Sequence, residues 1–251
     1  ENALQDLDAP GKWALDVAGR QLYLWPEGDG SPQGIVAPQC PQGIVAPALT
    51  ELIRVEGAIH ADGAQDEPVT GLVFRGLTFT HGDLYRWEPD KTGWGLQHDW
   101  EMFDKPTALL RLRGAERCVV EKCRFVNSAG AAIRLDLHAQ HNAIRENLIA
   151  HNLIHHCPYT AIVASGRIYL DRQGIGECAR TVRWREIDAI FPERPERLTW
   201  EQREQFLHSR QNIIEDNEIH HPMQILGDGN FIYVSGTGGG NWVHRNLLHD
   251  A

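Results

Sequence analysis

The chain has 251 residues, 42% hydrophobic and 23% charged, with a formal net charge of −10 from 24 basic and 34 acidic side chains. This composition excludes a disordered chain, and the acidic balance excludes a global basic footprint for nucleic acid. No apolar run approaches the roughly 20 residues of a membrane-spanning helix, so neither nucleic acid nor membrane is an expected partner.

From the amino end, Gly11-Lys-Trp-Ala-Leu-Asp16 and Gln21-Leu-Tyr-Leu-Trp25 alternate around Val17-Ala-Gly-Arg20, which predicts a β-hairpin. A Gly- and Pro-rich loop follows from Pro26 to Pro47, and within it Pro32-Gln-Gly-Ile-Val-Ala-Pro38 recurs at Pro41 to Pro47. Residues 1–68 are expected to form this small β module, and residues 69–251 the main body.

The main body repeats. Leu72-Val-Phe-Arg-Gly-Leu77-Thr-Phe79, Cys118-Val-Val-Glu-Lys-Cys123-Arg-Phe125, Asn147-Leu-Ile-Ala-His-Asn152-Leu-Ile154, Asn212-Ile-Ile-Glu-Asp-Asn217-Glu-Ile219 and Asn241-Trp-Val-His-Arg-Asn246-Leu-Leu248 share one pattern. Each has a marker residue, an apolar residue two later, a second marker five later and an apolar residue seven later. The starts are 46, 29, 65 and 29 residues apart, as expected for a unit of one coil with two insertions. A second short strand follows the markers at Ala131-Ala-Ile-Arg-Leu-Asp136, Thr160-Ala-Ile-Val-Ala-Ser165 and Asn230-Phe-Ile-Tyr-Val-Ser235, and Ala108 to Leu112 fits the same slot. Period-two strands split by Asn and Gly turns predict stacked parallel sheets, an asparagine ladder and an all-β fold, namely a right-handed parallel β-helix. A leucine-rich horseshoe expects a Leu density that is absent. The cysteines, none spaced as Cys-x-x-Cys, read as small buried residues of the stack. The chain opens on Glu1-Asn2 and stops inside a repeat, so it reads as a fragment of a longer protein.

Two insertions carry unusual composition. The first, about 82–106, mixes Tyr85, Trp87, Trp94 and Trp100 with seven acids and histidines, a composition suited to stacking on sugar rings and bonding their hydroxyls; anchoring the loop is the plainer alternative. The second, about 167–210, contains Trp184 among charged residues and a capping box at Thr199-Trp-Glu-Gln202 that predicts a helix from Thr199 to about Ser209. Between His221 and Asn230, Asp228 stands between two glycines, which places a carboxylate on a turn with unusual backbone freedom; on spacing alone an ordinary turn aspartate is the commoner case. Eight residues past the markers come His155, His220 and His249, and nine past come His81, Asn127, His156, His221 and Asp250. Such columns suit hydroxyl binding or a polar stack, and no third ligand points to a metal.

Leu7-Asp-Ala-Pro-Gly-Lys-Trp13, Leu22-Tyr-Leu-Trp-Pro26, Phe74-Arg-Gly-Leu-Thr-Phe79, His156-Cys-Pro-Tyr-Thr-Ala-Ile-Val163 and Met223-Gln-Ile-Leu-Gly-Asp-Gly-Asn230 resemble segments of bacterial β-helix glycoside hydrolases of families 120 and 141, the β-xylosidase, xylanase and α-L-fucosidase group. The resemblance implies hydrolysis of plant-type poly- or oligosaccharide and an extracellular or periplasmic location. It implies no cofactor beyond room for a structural calcium. It makes Asp228 one of two catalytic carboxylates, with the second one coil beyond this chain; Asp250 and Asp136 are the candidates within it. The substrate-binding set is His81, Trp94, His156, Tyr159, Trp184, His221 and Asn230. The alternatives are a β-helix polysaccharide lyase and a non-catalytic carbohydrate-binding solenoid.

Overall fold

The computed structural model describes residues 4–16, 18–25, 33–35, 45–59, 65–83, 108–136, 138–150, 160–165, 184–193, 199–222 and 230–250. The chain divides into two units, Glu1–Ala46 and Pro47–Ala251.

In the first unit the expected hairpin pairs β1 (Trp13–Asp16) with β2 (Gln21–Leu24) in antiparallel register, Trp13 opposite Leu24. Arg20 takes the left-handed turn conformation, at φ 52, and the Gly19 N–H donates to Asp16 Oδ1 at 2.8 Å. The stretch expected to be loop contributes a third strand, β3 (Gln33–Ile35), which pairs with β2.

The second unit runs β4 (Ile53–Glu56), β5 (Val69–Thr70), β6 (Val73–Arg75), β7 (Thr78–Gly82), β8 (Ala108–Arg113), β9 (Ala115–Glu116), β10 (Val119–Glu121), β11 (Arg124–Ser128), β12 (Ala131–Asp136), β13 (Ala143–Arg145), β14 (Leu148–Ala150), β15 (Thr160–Ser165), β16 (Ile213–Glu215), β17 (Glu218–His220), β18 (Asn230–Ser235), β19 (Trp242–His244) and β20 (Leu247–His249). Three five-stranded parallel sheets result. The first is ordered β6-β10-β13-β16-β19, the second β7-β11-β14-β17-β20 and the third β4-β8-β12-β15-β18. Each pass of the chain therefore lays one strand in each sheet, against the equivalent strand of the previous pass. The boundary expected at residue 68 moves to 46/47. The reason is that β4 pairs in register with β8, Ile53 opposite Leu110, and so belongs to the stack.

One apolar core lies between the sheets. Val120, Ile144 and Ile214 enter it from the first, Phe79, Phe125 and Ile219 from the second, and Leu110, Leu112, Ile133, Leu135 and Ile162 from the third. Phe79 stacks on Phe125 with centroids 4.6 Å apart. No pass of chain buries this face alone, because its apolar residues meet their partners only through the neighbouring passes.

The passes are keyed by two asparagine ladders. Asn142 Nδ2 donates to Asn212 Oδ1 at 3.2 Å, and Asn212 Nδ2 to Asn241 Oδ1 at 3.1 Å. Asn147, Asn217 and Asn246 repeat the arrangement at 3.0 and 2.9 Å. Cys118 and Cys123 take the marker positions one pass earlier, buried, with their N–H groups donating to Asn142 and Asn147 Oδ1 at 2.9 Å. Before each marker stands a residue in left-handed conformation: Gly71 and Gly76, then Arg117 and Lys122, His141 and Glu146, Gln211 and Asp216, Gly240 and Arg245. Glycine costs nothing at such a slot, whereas a side chain is strained there, so the corner geometry is dictated by the stack rather than by propensity.

The register corrects one reading. The third marker is Asn142, not Asn147: Val119 pairs with Ala143 and Ala143 with Ile213. Asn142, Asn147 and Asn152 are spaced by five, the same interval that separates the two markers of a pass, so the pattern fits at two registers. The packing of Ile144 against Val120 and Ile214 selects one of them.

Among the described residues of the second insertion there are two helices. The capping box is present: Thr199 Oγ1 accepts from Gln202 N–H at 3.3 Å, and Thr199 N–H donates to Gln202 Oε1 at 2.8 Å. The helix itself, Trp200–Glu204, is shorter than expected. Phe206 N–H bonds back to Arg203 and Leu207 N–H to Glu204, a tightened last turn that buries Phe206 and Leu207. A second helix, Trp184–Ile190, was not expected from the sequence, and it buries Ile187. Among the described residues no helix is long and apolar enough to cross a membrane.

Candidate functional site

The corner from the second sheet to the third is where polar residues gather. His81, Asn127, His221 and Asp250 all occupy its left-handed slot, with φ between 51 and 58. His81 Nε2 lies 3.3 Å from Asn127 Nδ2, and His221 N–H donates to the Asp250 carbonyl at 2.9 Å. One residue earlier, His220 pairs with His249 across neighbouring strands, and their rings stack with centroids 5.2 Å apart. The His221 ring meets His220 edge-on, Nδ1 to Nδ1 at 2.8 Å.

His249 is flanked by acids. Its Nδ1 lies 2.8 Å from Asp250 Oδ2, and its Nε2 lies 3.3 Å from Glu218 Oε1. The bond to Asp250, followed by the one to Glu218, holds the His249 pKa above its ordinary value. The same bond, followed by its charge, holds Asp250 below the usual carboxylate range. The result is an exposed row of imidazoles and carboxylates that presents hydrogen-bond donors and acceptors one strand spacing, about 4.8 Å, apart. That chemistry suits a ligand rich in hydroxyl groups.

The structure therefore brings together His221 and Asp250 of the expected set, with His81 further down the same corner. Asn230 opens β18, exposed, opposite Thr160. Trp184 heads the first helix of the insertion. Trp94, His156, Tyr159 and Asp228 lie outside the described residues. His155, expected in the neighbouring column, likewise lies outside the described residues.

Asp136 is an ion-pair centre and not a candidate acid. Arg111 Nε donates to its Oδ2 at 2.8 Å, Arg134 Nε donates to the same oxygen at 3.1 Å, and Arg113 Nε lies 3.8 Å from Oδ1. Burial alone pushes its pKa up, but the charges of Arg111, Arg134 and Arg113 outweigh burial and hold it low. Asp136, Arg111 and Arg134 are each at most 1% exposed, so this carboxylate is shut away from solvent.

A further network escaped sequence reading. His138 Nε2 lies 2.5 Å from Glu116 Oε1, His208 Nε2 lies 2.6 Å from Glu186 Oε2, and the two rings face each other at 5.5 Å. It sets the helix Trp184–Ile190 and the segment that follows Trp200–Glu204 against the stack, and its residues share no sequence pattern. Among the described residues no three His, Cys, Asp or Glu side chains converge so as to hold a metal ion.

No family model, curated protein or solved structure matches the chain.

Proposed function

We propose that the second unit is a right-handed parallel β-helix and that the protein hydrolyses glycosidic bonds of plant-type poly- or oligosaccharides, outside the cytoplasm. The observation that carries the reading is the corner row His220, His221, His249 and Asp250, from which the chain leaves toward Asp228. Three parallel sheets, in each of which successive strands are three or four apart in chain order, support the fold, and the motif resemblance supports the chemistry.

In this reading Asp228 is the nucleophile or base, and the row binds hydroxyls of the sugar beside the scissile bond. Glycoside hydrolysis needs one carboxyl kept protonated and one kept ionised, about 5–5.5 Å apart for retention and 6.5–9.5 Å for inversion. Asp136 and Asp250 are both held low, so neither is the proton donor, and a third group supplies that role. Asp250 instead orients His249 toward the sugar.

The test is turnover of aryl xylosides, fucosides and galactosides by the protein and by Asp228→Asn. The expected outcome is release of the aryl group by the parent and a loss of about 10³-fold or more in the variant, with substrate affinity retained. Unchanged turnover in Asp228→Asn overturns the assignment. Polysaccharide products that absorb in the ultraviolet overturn hydrolysis in favour of elimination.

A further inference from the structure

One imidazole of the corner row is held as an acid is held. His249 Nδ1 lies 2.8 Å from Asp250 Oδ2, so the carboxylate keeps a proton on that nitrogen and leaves Nε2 as the reactive end of the ring. Nε2 lies 3.3 Å from Glu218 Oε1 on the neighbouring strand. The ring plane is fixed by stacking on His220, with centroids 5.2 Å and planes 22° apart. Asp250 is itself fixed, because its carbonyl accepts from His221 N–H at 2.9 Å. The Glu218 side chain is about half exposed, so it can turn aside and leave Nε2 to a ligand oxygen.

The charges around the ring agree with this geometry. Asp250 and then Glu218 hold the His249 pKa above 6.5, whereas Asp136 and Asp250 are both held ionised. A group that gives up a proton near neutrality must carry it there and release it in the transition state, and a raised histidine does both. Hydrolysis through Asp228 still lacks such a group.

Resting on that hydrolase reading, we propose that His249 is the proton donor to the departing oxygen of the glycosidic bond, with Asp250 positioning its ring. As the bond from the anomeric carbon to that oxygen breaks, the oxygen keeps the electron pair, takes the proton from His249 Nε2 and leaves as an alcohol. The new bond to the anomeric carbon comes from the Asp228 carboxylate or from the water that it activates. The neutral imidazole then regains a proton from water.

The experiment compares phenyl and dinitrophenyl xylosides, fucosides and galactosides, because a dinitrophenolate departs without needing a proton and a phenolate departs poorly without one. In His249→Gln, turnover of the phenyl glycoside is expected to fall by about 10²-fold or more, and that of the dinitrophenyl glycoside by at least about tenfold less. In the parent, turnover of the phenyl glycoside is expected to fall as pH rises through the folded value of His249, and in Asp250→Asn to fall at lower pH. Equal slowing of both glycosides in His249→Gln, or an alkaline limb unmoved by Asp250→Asn, overturns His249 as the donor. If Asp228→Asn slows both glycosides in the same assays, hydrolysis through Asp228 survives that result. If Asp228→Asn slows neither, or the parent turns over no glycoside, the hydrolase reading falls and this inference falls with it.

Discussion

Arg111 and Asp136 stand on neighbouring strands of the third sheet, with Arg111 Nε donating to Asp136 Oδ2 at 2.8 Å and both side chains shut away from water. Removing one charge from such a pair leaves the other buried without its counterion. Asp136→Asn is therefore expected to cost about 3–5 kcal/mol, read as a fall in the urea midpoint. The folded pKa of Asp136 is depressed, so its contribution is full above the ordinary carboxyl value of 3.8 and is lost as pH falls through the folded value. The variant is expected to show a shallower loss of stability on acidification than the parent.

Asn217 makes ladder bonds on both sides, accepting from Asn147 and donating to Ile144 O and to Asn246. Asn217→Leu is expected to cost about 2–4 kcal/mol, since buried N–H and C=O groups lose their partners. Asn246→Leu strands the N–H and Nδ2 of Asn217 and removes a donor from the Ile214 and His244 carbonyls, but Asn246 is only half-buried, and about 1–2 kcal/mol is expected. Thermal unfolding of the two variants gives the order; a larger loss at Asn246 contradicts the ladder's polarity.

His249 keeps its proton above the ordinary histidine value of 6.5 because Asp250 and Glu218 flank it. A raised folded pKa contributes stability that is present below the unfolded value and is lost as pH rises through the folded one; for Asp250, depressed from 3.8, the contribution is lost as pH falls through its folded value. The contribution of the pair is thus full between about pH 4 and 6.5 and falls away on either side of that window. Two-dimensional NMR titration is expected to show His249 titrating above a free histidine and moving down in Asp250→Asn. A His249 value unmoved by that substitution contradicts the contact.

Cys118 and Cys123 lie in the core, and burial pushes the Cys118 thiol up. Both thiols are shut away from reagent, so both are expected to stay unmodified by iodoacetamide in the folded protein and to react on unfolding in urea. Peptide mapping by mass spectrometry checks it.

The strand pattern, the asparagine ladders and the hairpin were legible because each is written in neighbouring residues with a fixed period. The pairing of Asn142 with Asn212 was not, because asparagines at 142, 147 and 152 satisfy the pattern at more than one register, and only contacts across passes decide between them. The place of Ile53–Glu56 was hidden for a related reason: four residues carry no repeat, and their membership of the third sheet is expressed only through Leu110 and Leu112. Asp136 looked like a site acid from its position at a strand end, although the slot shared by 108–112 and 131–136 aligns Arg111 with Arg134 and sets Arg113 beside Asp136. Of the corner row, the left-handed column of His221 and Asp250 could be read from spacing, whereas the acid on each side of His249 depended on where Glu218 falls in the pairing.

The corner between the first and second sheets is two residues long in every pass, from Arg75 to Thr78, Glu121 to Arg124, Arg145 to Leu148, Glu215 to Glu218 and His244 to Leu247. The opposite rim follows no such rule: Ser128 to Ala131 is short, while Gly82 to Ala108 and His220 to Asn230 are long. One edge thus behaves as a spine that sets the winding, and the other absorbs changes in length. Loops grafted between His221 and Asn230 can therefore retune recognition while the spine, and with it the packing, stays as it is.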